Sequence, residues 1–328
     1  MKAAWYTQNG EAQDVMQVGE LPTPTPQAGD VLVRLMTSGV NPSDVKSRRA
    51  RPVSDPLIVP HSDGAGVIEA VGAGVSAARV GQRVWVWNGQ WQRALGTCAQ
   101  YIALPEAQAV ALPDDTDFAA GACMGIPGLT AVQSVILAER LAGDLRGQTV
   151  LVSGASSAVG HYITQMVCLA GGRLIGTVGS EAKAAHARAA GMQEAVFYKT
   201  ESVPERVKAL TQGRGADVII DMDFSTTARW AAEGALAPHG QVVCYGSNAL
   251  EVNLPFRPWL FQSMGVKFFL VYDLTPADRQ KAVARLSAML SQQQLQHSIG
   301  ARFSLDQIAQ AHQTVEAGQT VGNVVVDL

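Results

Sequence analysis

The sequence predicts an α/β protein of two domains, in which a doubly wound parallel sheet is inserted into a β-rich domain. Three observations support this fold class. The 328 residues exceed the roughly 100–200 of one ordinary domain. Short alternating apolar runs and turn residues fill the first third of the chain, whereas apolar strands alternate with helical stretches from about Gly128. We expect residues 1–126 and 273–328 to form the β-rich domain and residues 127–272 the parallel-sheet domain.

Composition excludes several classes of protein. The hydrophobic fraction of 47% against 16% charged residues excludes a mainly disordered chain. A net charge of −3 gives no support for binding nucleic acid or an anionic membrane. No apolar stretch approaches the roughly 20 residues that span a bilayer, and the apolar start of the chain is too short for the hydrophobic region of a signal peptide. The four dispersed cysteines predict no disulfide framework. We therefore expect a soluble, cytoplasmic protein with no nucleic-acid or membrane partner.

The β-rich domain is predicted from alternation and turn signals. Residues 31–36 and 66–71 alternate as strands do, and glycines at positions 72, 74, 81 and 89 mark tight turns between such runs. At the other end of the chain, residues 324–326 predict a closing strand. Thr275, Pro276 and Asp278 predict the start of a helix, because a capping side chain precedes a proline that needs no amide partner.

The parallel-sheet domain is predicted from apolar strands that are separated by helices. The strands are expected at residues 149–153, 173–178, 216–221, 241–245 and 266–271, and the helices at 159–170, 181–190 and 226–236. The last strand, Val266 to Val271, is apolar and lies at the edge of the sheet. An apolar edge strand invites pairing with another chain.

A turn of small residues between the first of these strands and its helix carries the strongest functional signal. It runs from Gly154 to Gly160 and contains Ser156, Ser157, Ala158 and Val159. In a Rossmann unit such a turn lets backbone amides at a helix N-terminus approach the pyrophosphate of a dinucleotide. The strand before the turn and the second strand after it make this a more specific signal than glycines alone.

Two other interpretations of the same turn stay open. Gly154 to Ala158 approximates the GxSxG elbow of a serine hydrolase, with Ser156 as nucleophile and a histidine such as His239, His297 or His312 as base. The small residues can also serve close packing alone.

The end of the second strand favours NADP over NAD. A ribose diol is usually held by an acid at this place, whereas a 2′-phosphate requires a cation. Here the strand ends in Gly179 and Ser180 without an acid, and Lys183 follows one helical turn later. Glu181 keeps NAD from being excluded.

Several motifs in order resemble one known family over essentially the whole chain. They are Gly39-Val-Asn-Pro-Ser-Asp44, Ser62-Asp-Gly-Ala-Gly66, Gly81-Gln-Arg-Val84, Gly125-Ile-Pro-Gly-Leu-Thr-Ala131 and Val150-Leu-Val-Ser-Gly-Ala155. Together they resemble the zinc-free quinone oxidoreductases of the medium-chain dehydrogenase/reductase superfamily, the group that includes ζ-crystallin.

The resemblance implies a GroES-like β-rich catalytic domain, a Rossmann domain and NADPH in the cleft between them. It implies that Asn41, Asp44 and Thr130 form the catalytic set, with Asn41 and Thr130 also touching the nicotinamide. It further implies that Gly179, Lys183 and Tyr198 hold the adenosine phosphate, with Ser180 and Ser247 as additional contacts. The family commonly has two glycines where this chain has Ser157 and Ala158, and this difference puts the affinity for NADPH in question.

No metal is predicted. Zinc-dependent relatives place a cysteine near position 39 and a histidine at position 62, where this chain has Gly39 and Ser62. His61 is one residue out of register, and no cysteine is nearby.

Together with the small-residue turn, the resemblance implies an NADPH-dependent reductase of quinones, with α,β-unsaturated carbonyl compounds as the alternative substrates. Because relatives join their sheets at the last strand, we also expect a homodimer through Val266 to Val271. The alternatives of another class are a catalytically weak NADPH-binding or structural protein and the serine hydrolase described above.

Overall fold

The computed structural model describes residues 1–328, and the chain forms two compact units. The first unit contains Met1–Pro127 and Ser287–Leu328, and the second contains Gly128–Leu286. No helix is both long enough and apolar enough to cross a membrane.

The first unit is built mainly of strands. Its strands are β1 (Lys2–Trp5), β2 (Gln17–Glu20), β3 (Asp30–Val40), β4 (Asp63–Val71), β5 (Arg83–Val86), β6 (Tyr101–Pro105), β7 (Ala109–Ala111), β14 (Ile299–Ser304) and β15 (Asn323–Asp327). Its helices are α1 (Ala12–Val15), α2 (Pro42–Ala50), α3 (Phe118–Gly121) and α11 (Ile308–Ala317). β1 pairs with β2, and the other seven strands form one sheet in the order β14-β15-β3-β4-β5-β7, with β6 beside β3.

The sheet of the first unit is antiparallel except for its last pair. β14 and β15 run parallel, whereas β15, β4 and β6 are all antiparallel to β3. β3 is longer than the predicted 31–36 because its second half pairs with both β4 and β15. Val31, Val33 and Leu35 alternate into a core that they share with β4, β5 and β6. The predicted closing strand at 324–326 is confirmed as part of β15.

The second unit is a six-stranded, fully parallel sheet covered by helices. Its strands are β8 (Thr149–Val152), β9 (Arg173–Val178), β10 (Glu194–Phe197), β11 (Ala216–Asp221), β12 (Leu236–Cys244) and β13 (Gly265–Phe268). Its helices are α4 (Leu129–Ala142), α5 (Ala158–Leu169), α6 (Glu181–Ala189), α7 (Val203–Leu210), α8 (Phe224–Trp230), α9 (Phe256–Phe261) and most of α10 (Pro276–Ser291). The strand order β10-β9-β8-β11-β12-β13 is that of a Rossmann fold.

Two predicted boundaries in this unit are wrong. The helix expected at 226–236 ends at Trp230, because the chain then turns through Gly234, whose φ of +99° interrupts the helix. The edge strand expected to reach Val271 ends at Phe268, because Val271–Asp273 form a 3₁₀ turn.

The second unit extends beyond the predicted boundary at residue 272. The reason is α10, whose first part pairs with α4. Arg140 binds Asp278 with an N···O distance of 2.6 Å, and Arg285 binds Glu139 at 2.6 Å. These ion pairs hold the first three turns of α10 against the parallel-sheet unit.

Candidate functional site

The small-residue turn lies between β8 and α5, as its sequence predicted. Gly154 has a φ of +69°, a conformation that glycine adopts without strain. Ser157 caps α5, and its hydroxyl accepts a hydrogen bond from the Gly160 amide at 3.0 Å. A Cβ atom at Gly160 would lie 2.1 Å from the carbonyl oxygen of Gly154. The turn therefore folds tightly against the first turn of the helix.

The predicted cofactor residues Ser156, Ser157, Ala158 and Val159 all lie on this turn. Ser157, Ala158 and Val159 are half-exposed at the helix N-terminus, whereas Ser156 is buried. The sequence also admitted Ser156 as a nucleophile. The structure gives its hydroxyl no histidine partner, and His312 is instead paired with His61.

A second group of predicted residues lies at the tip of β9. Ser180 caps α6 and accepts a hydrogen bond from the Lys183 amide at 3.4 Å. Gly179 faces Tyr198, and a Cβ there would lie 3.0 Å from the Tyr198 hydroxyl. The structure thus brings Gly179, Ser180, Lys183 and Tyr198 to one place. Glu181 is drawn away along its helix, because Arg188 binds it at 2.5 Å.

The two groups share the carboxyl edge of the sheet. The Gly154 amide donates a hydrogen bond to Oγ1 of Thr177 at 2.9 Å, and the Ala155 amide donates to the Thr177 carbonyl. Thr177 lies two residues before Gly179 on β9. Two hydrogen bonds to Thr177, one to its hydroxyl and one to its carbonyl, therefore connect the turn after β8 to the end of β9.

Three residues at this edge were missed by the sequence reasoning. Ser153, Asp221 and Tyr245 end or follow β8, β11 and β12, and Oγ of Ser153 donates a hydrogen bond to Oδ1 of Asp221 at 2.7 Å. Burial raises the pKa of Asp221 above its usual value, although hydrogen bonds from Ser153 and Thr227 lower it. The only sequence signal was the acid at the end of the predicted strand 216–221.

Tyr245 lies beside the capping residue of α5. Burial raises the pKa of the Tyr245 phenol above its usual range, and the charge of Asp221 raises it further, whereas a hydrogen bond with Ser157 lowers it. The phenol of Tyr245 is therefore neutral at physiological pH and lies beside the turn after β8.

The remaining predicted residues of the second unit lie on separate elements. Thr130 is buried in the first turn of α4, and its carbonyl accepts a hydrogen bond from Ser134 at 2.8 Å. Ser247 follows β12, and its hydroxyl donates to the Ala249 carbonyl at 3.1 Å. Ser247 therefore lies at the same edge of the sheet as the turn after β8.

In the first unit, Asn41 and Asp44 are joined at the start of α2. The backbone amide of Asn41 donates a hydrogen bond to Oδ2 of Asp44 at 2.7 Å. The side-chain nitrogen Nδ2 of Asn41 donates a second hydrogen bond to Oδ2 of Asp63 at 2.8 Å. All three side chains are buried. Burial raises the pKa of Asp44 to about 7, although hydrogen bonds from Asn41 lower it. The first unit therefore holds an oriented amide donor beside an acid that titrates near neutrality.

A buried pair of histidines lies near this group, since His61 is two residues before Asp63 in the chain. Nε2 of His61 and Nε2 of His312 are 2.9 Å apart, and Nδ1 of His61 is 2.9 Å from Oγ of Ser38. Burial lowers the pKa of His61 well below its usual value and that of His312 to about 3. Both ring nitrogens of His61 are thus engaged by protein groups, and no three side chains of the metal-binding types converge into a metal site.

Comparison with known proteins places the chain among the dehydrogenases of this architecture. Residues 27–114 match the alcohol dehydrogenase GroES-like domain, and residues 158–288 match the zinc-binding dehydrogenase domain. The zinc that the second description implies does not fit the residues present, because Gly39 and Ser62 offer no strong ligand and His61 is bonded to His312 and Ser38.

Individual proteins are similar over most of the chain. A quinone oxidoreductase of Pseudomonas aeruginosa is 32% identical over 81% of this chain and 80% of its own. A 2-haloacrylate reductase of a Burkholderia species is 28% identical over 94% of this chain and 93% of its own. A mycobacterial protein solved in complex with NADPH superposes with a TM-score of 0.88 and 27% identity over the whole of both chains. The resemblance inferred from the motifs is confirmed, and the chain belongs to the quinone oxidoreductase family of the medium-chain dehydrogenase/reductase superfamily.

Proposed function

We propose that this chain is an NADPH-dependent oxidoreductase that reduces quinones without zinc. The observation that carries the proposal is the turn from Gly154 to Gly160 at the carboxyl edge of a Rossmann sheet, in a chain whose relatives include a quinone oxidoreductase and an NADPH complex. Proteins of this architecture bind dinucleotides at that edge.

The residues at the edge fit NADPH. Ser156, Ser157, Ala158 and Val159 would hold the pyrophosphate, because the amides at the N-terminus of α5 are donors without helical partners. Ser157 and Ala158 are compatible with this role, since the Ser157 hydroxyl already turns inward to the Gly160 amide. Tyr245 would add a donor from below.

The tip of β9 would hold the 2′-phosphate. Lys183 supplies a cation there, and Gly179, Ser180 and Tyr198 supply a tight, polar wall. The acid that an NAD site would need is engaged elsewhere, because Glu181 is bound by Arg188. Thr130 would contact the nicotinamide, and Ser247 the ribose between the two ends.

When bound, NADPH would supply a hydride equivalent to the quinone. The first unit would supply the polar groups. Nδ2 of Asn41 carries two hydrogens, and one of them is bonded to Asp63. The other would donate a hydrogen bond to the carbonyl oxygen of the quinone. Asp44 holds a proton near neutral pH, because its pKa is raised to about 7, and it would deliver that proton to complete the hydroquinone.

The second candidate function is reduction of α,β-unsaturated carbonyl compounds. It is favoured by the similarity to a 2-haloacrylate reductase and would use the same donors. The third hypothesis is a catalytically weak NADPH-binding protein, which predicts that NADPH binds but that no acceptor is reduced.

One experiment separates these functions. The protein is titrated with NADPH and NADH in parallel, and loss of NADPH absorbance is then followed with a panel of quinones and enones. The proposal expects tighter binding of NADPH and the highest kcat/KM with a quinone. A higher kcat/KM with an enone selects the second candidate, binding without turnover selects the third, and no nucleotide binding overturns the proposal.

We further propose that the protein is a cytoplasmic homodimer. The four cysteines are unpaired, in agreement with a reducing compartment. β13 is the edge of its sheet, and exposed apolar side chains lie on it, on the helix before it and just after it, at Phe256, Leu260, Phe261, Phe268 and Leu270. A monomer in sedimentation at micromolar concentration would contradict the dimer.

A further inference from the structure

A pocket of about 300 Å³ opens in the first unit beside the C-terminal end of α2. We call it the arginine pocket and define it by Tyr6, Arg51, Asp55, Trp91 and Arg93, which line it. Its volume lies at the lower end of the roughly 300–1,000 Å³ of small-molecule sites. It has room for a molecule of one or two rings.

The charges of the pocket favour an anion. Arg51 lies over the ring of Trp91, with its guanidinium carbon 5.3 Å from the ring centroid, and Arg93 donates a hydrogen bond to Oε1 of Gln108 at 2.7 Å. Neither arginine is in an ion pair, whereas Arg48 and Arg49 of the same basic run are bound by Glu316 and Glu11.

One carboxylate also lines the pocket. Asp55 is exposed, and its Oδ2 accepts a hydrogen bond from the Ser54 hydroxyl at 2.9 Å. Two guanidinium groups against one carboxylate leave the lining with an excess of positive charge. Burial lowers the pKa of Arg93, because its guanidinium group is incompletely solvated. An anionic ligand would therefore stabilise the charged form of Arg93.

The walls of the pocket suit a planar ring. Trp91 contributes an indole ring that carries Arg51 on one face, and the buried Tyr6 contributes a phenol whose pKa is raised to about 12 by burial and by the charge of Asp44. Tyr6 is therefore a neutral hydrogen-bond donor at physiological pH. A ring with an anionic substituent would meet stacking, hydrogen-bonding and ionic partners together.

The pocket is connected to the proposed chemistry through α2. Asn41 caps the N-terminus of this helix, and Arg51 follows its C-terminus. The nine residues of α2 span about 14 Å, and Asp44 and Arg51 both lie close enough to Tyr6 to shift the pKa of its phenol. Tyr6 in the wall of the pocket therefore lies within electrostatic range of Asp44, the acid that was assigned to proton delivery.

We propose that the arginine pocket binds an anionic substituent on the electron acceptor, so that the preferred substrates are quinones that carry a carboxylate or sulfonate group. This inference rests on the proposed quinone reductase function and narrows its substrate class.

The test compares two acceptors in four proteins at saturating NADPH. The acceptors are 1,4-naphthoquinone and its 2-sulfonate, and the proteins are the wild type, Arg51→Gln, the double variant Arg51→Gln/Arg93→Gln and the control Arg49→Gln. Arg49 lies in the same basic run, but Glu11 binds it outside the pocket. The measured quantity is the ratio of kcat/KM for the sulfonate to kcat/KM for the neutral quinone, which cancels differences in reduction potential between the acceptors when proteins are compared.

We expect this ratio to fall about 10-fold or more in the double variant and to change less than about twofold in Arg49→Gln, because a charge-assisted hydrogen bond contributes at least a factor of this size. An unchanged ratio in the double variant would overturn the inference. An equal fall in Arg49→Gln would also overturn it, since the preference would then come from the general field of the basic run.

Failure of the proposed function has a different signature. In that case the wild type reduces neither quinone. Quenching of tryptophan fluorescence by naphthalene-2-sulfonate, which is not reduced, then tests the pocket alone. Weaker binding to the double variant than to Arg49→Gln would uphold the anion site, and equal binding would reject it.

Discussion

Nδ2 of Asn41 donates a hydrogen bond to Oδ2 of Asp63 across 2.8 Å in the interior of the first unit. The carboxyl group also interacts with the backbone of Ile126, which lowers its pKa. Its other oxygen, Oδ1, faces Gly125, where a Cβ atom would lie 2.4 Å away. Burial raises the pKa of Asp63 well above its usual value, although the hydrogen bond from Asn41 lowers it. Asp63 thus fixes the orientation of the Asn41 side-chain amide at the start of α2. Glycine at position 125 leaves space for the Asp63 carboxyl group.

Replacing Asn41 with alanine is expected to reduce kcat for a neutral quinone about 100-fold, the usual effect of losing one preorganised donor to a developing oxyanion. The substitution also leaves the buried Asp63 carboxyl without its partner, which costs about 1–3 kcal/mol of folding free energy. Steady-state kinetics and thermal unfolding measure the two effects separately.

The control for this variant is Asn9→Ala. Nδ2 of Asn9 donates hydrogen bonds to the carbonyls of Arg48 and Arg51, at the opposite end of the same helix. This variant should lose stability while kcat changes by less than about threefold, since the donor at Asn41 is retained. Equal losses of kcat in the two variants would show that Asn41 acts only by holding the helix.

The parallel-sheet unit could be predicted from the sequence largely because its elements are local. β9 and β11 have the predicted bounds, and the turn after β8 is formed by consecutive residues. The polar interior of the first unit could not be predicted, because it depends on partners that are far apart in the chain. His61 and His312 are separated by 251 residues, and nothing near either one indicates the other.

The predicted site residues differ in the same way. Ser156, Ser157, Ala158 and Val159 could be proposed from the sequence because small residues between a strand and a helix form a local pattern. Tyr245 was missed, since its place beside Ser157 follows from the order of strands in the sheet. The ends of β13 and of α8 were set wrongly because apolar residues continue past both, and the turns that stop them depend on packing.

Asp44→Asn should remove a pH dependence of stability. The folded-state pKa of Asp44 is raised to about 7, above the value of roughly 3.9 in an unfolded chain. The folded protein therefore binds the extra proton between pH 4 and 7, and the stability from this group is present below about pH 4 and lost as the pH rises through 7. Relative to the wild type, the variant should gain up to about 4 kcal/mol between pH 4 and pH 8.

Thermal or denaturant unfolding across that range measures the gain. Asp306→Asn is the matched control, because Asp306 is an exposed acid that pairs with Lys2 and its replacement removes the same charge from the surface. If Asp44→Asn and Asp306→Asn followed the same pH curve, the buried acid would have no raised pKa, and its assignment to proton delivery would fail with it.

Gly160→Ala is expected to weaken NADPH binding at least 10-fold. The new Cβ would lie 2.1 Å from the Gly154 carbonyl oxygen, so the turn after β8 must shift away from α5. Overpacking of this kind costs about 1–3 kcal/mol. The control is Gly265→Ala on β13, where the atoms nearest to the new Cβ belong to the flexible side chain of Gln241, which can move aside. Calorimetric titration gives the dissociation constants. Unchanged affinity for NADPH in Gly160→Ala would show that the turn after β8 does not bind the cofactor.

Lys183→Ala tests the assignment of the 2′-phosphate. The lysine lies on the first turn of α6 beside Ser180, and the competing acid Glu181 is bound by Arg188. A cation that contacts a phosphate contributes about 1.5–3 kcal/mol, so the Kd for NADPH should rise about 10-fold or more while that for NADH changes by less than about twofold. Parallel titrations with the two nucleotides measure this difference.

Lys208→Ala is the control for the lost charge, because Lys208 pairs with Glu205 on α7. Its Kd ratio for the two nucleotides should match that of the wild type. Raising the salt concentration should narrow the preference of the wild type for NADPH and leave that of Lys183→Ala nearly constant, since an exposed ion pair is screened over about 10 Å at 0.1 M salt. An equal rise in Kd for both nucleotides in Lys183→Ala would show that the lysine stabilises the start of α6 and does not bind the 2′-phosphate.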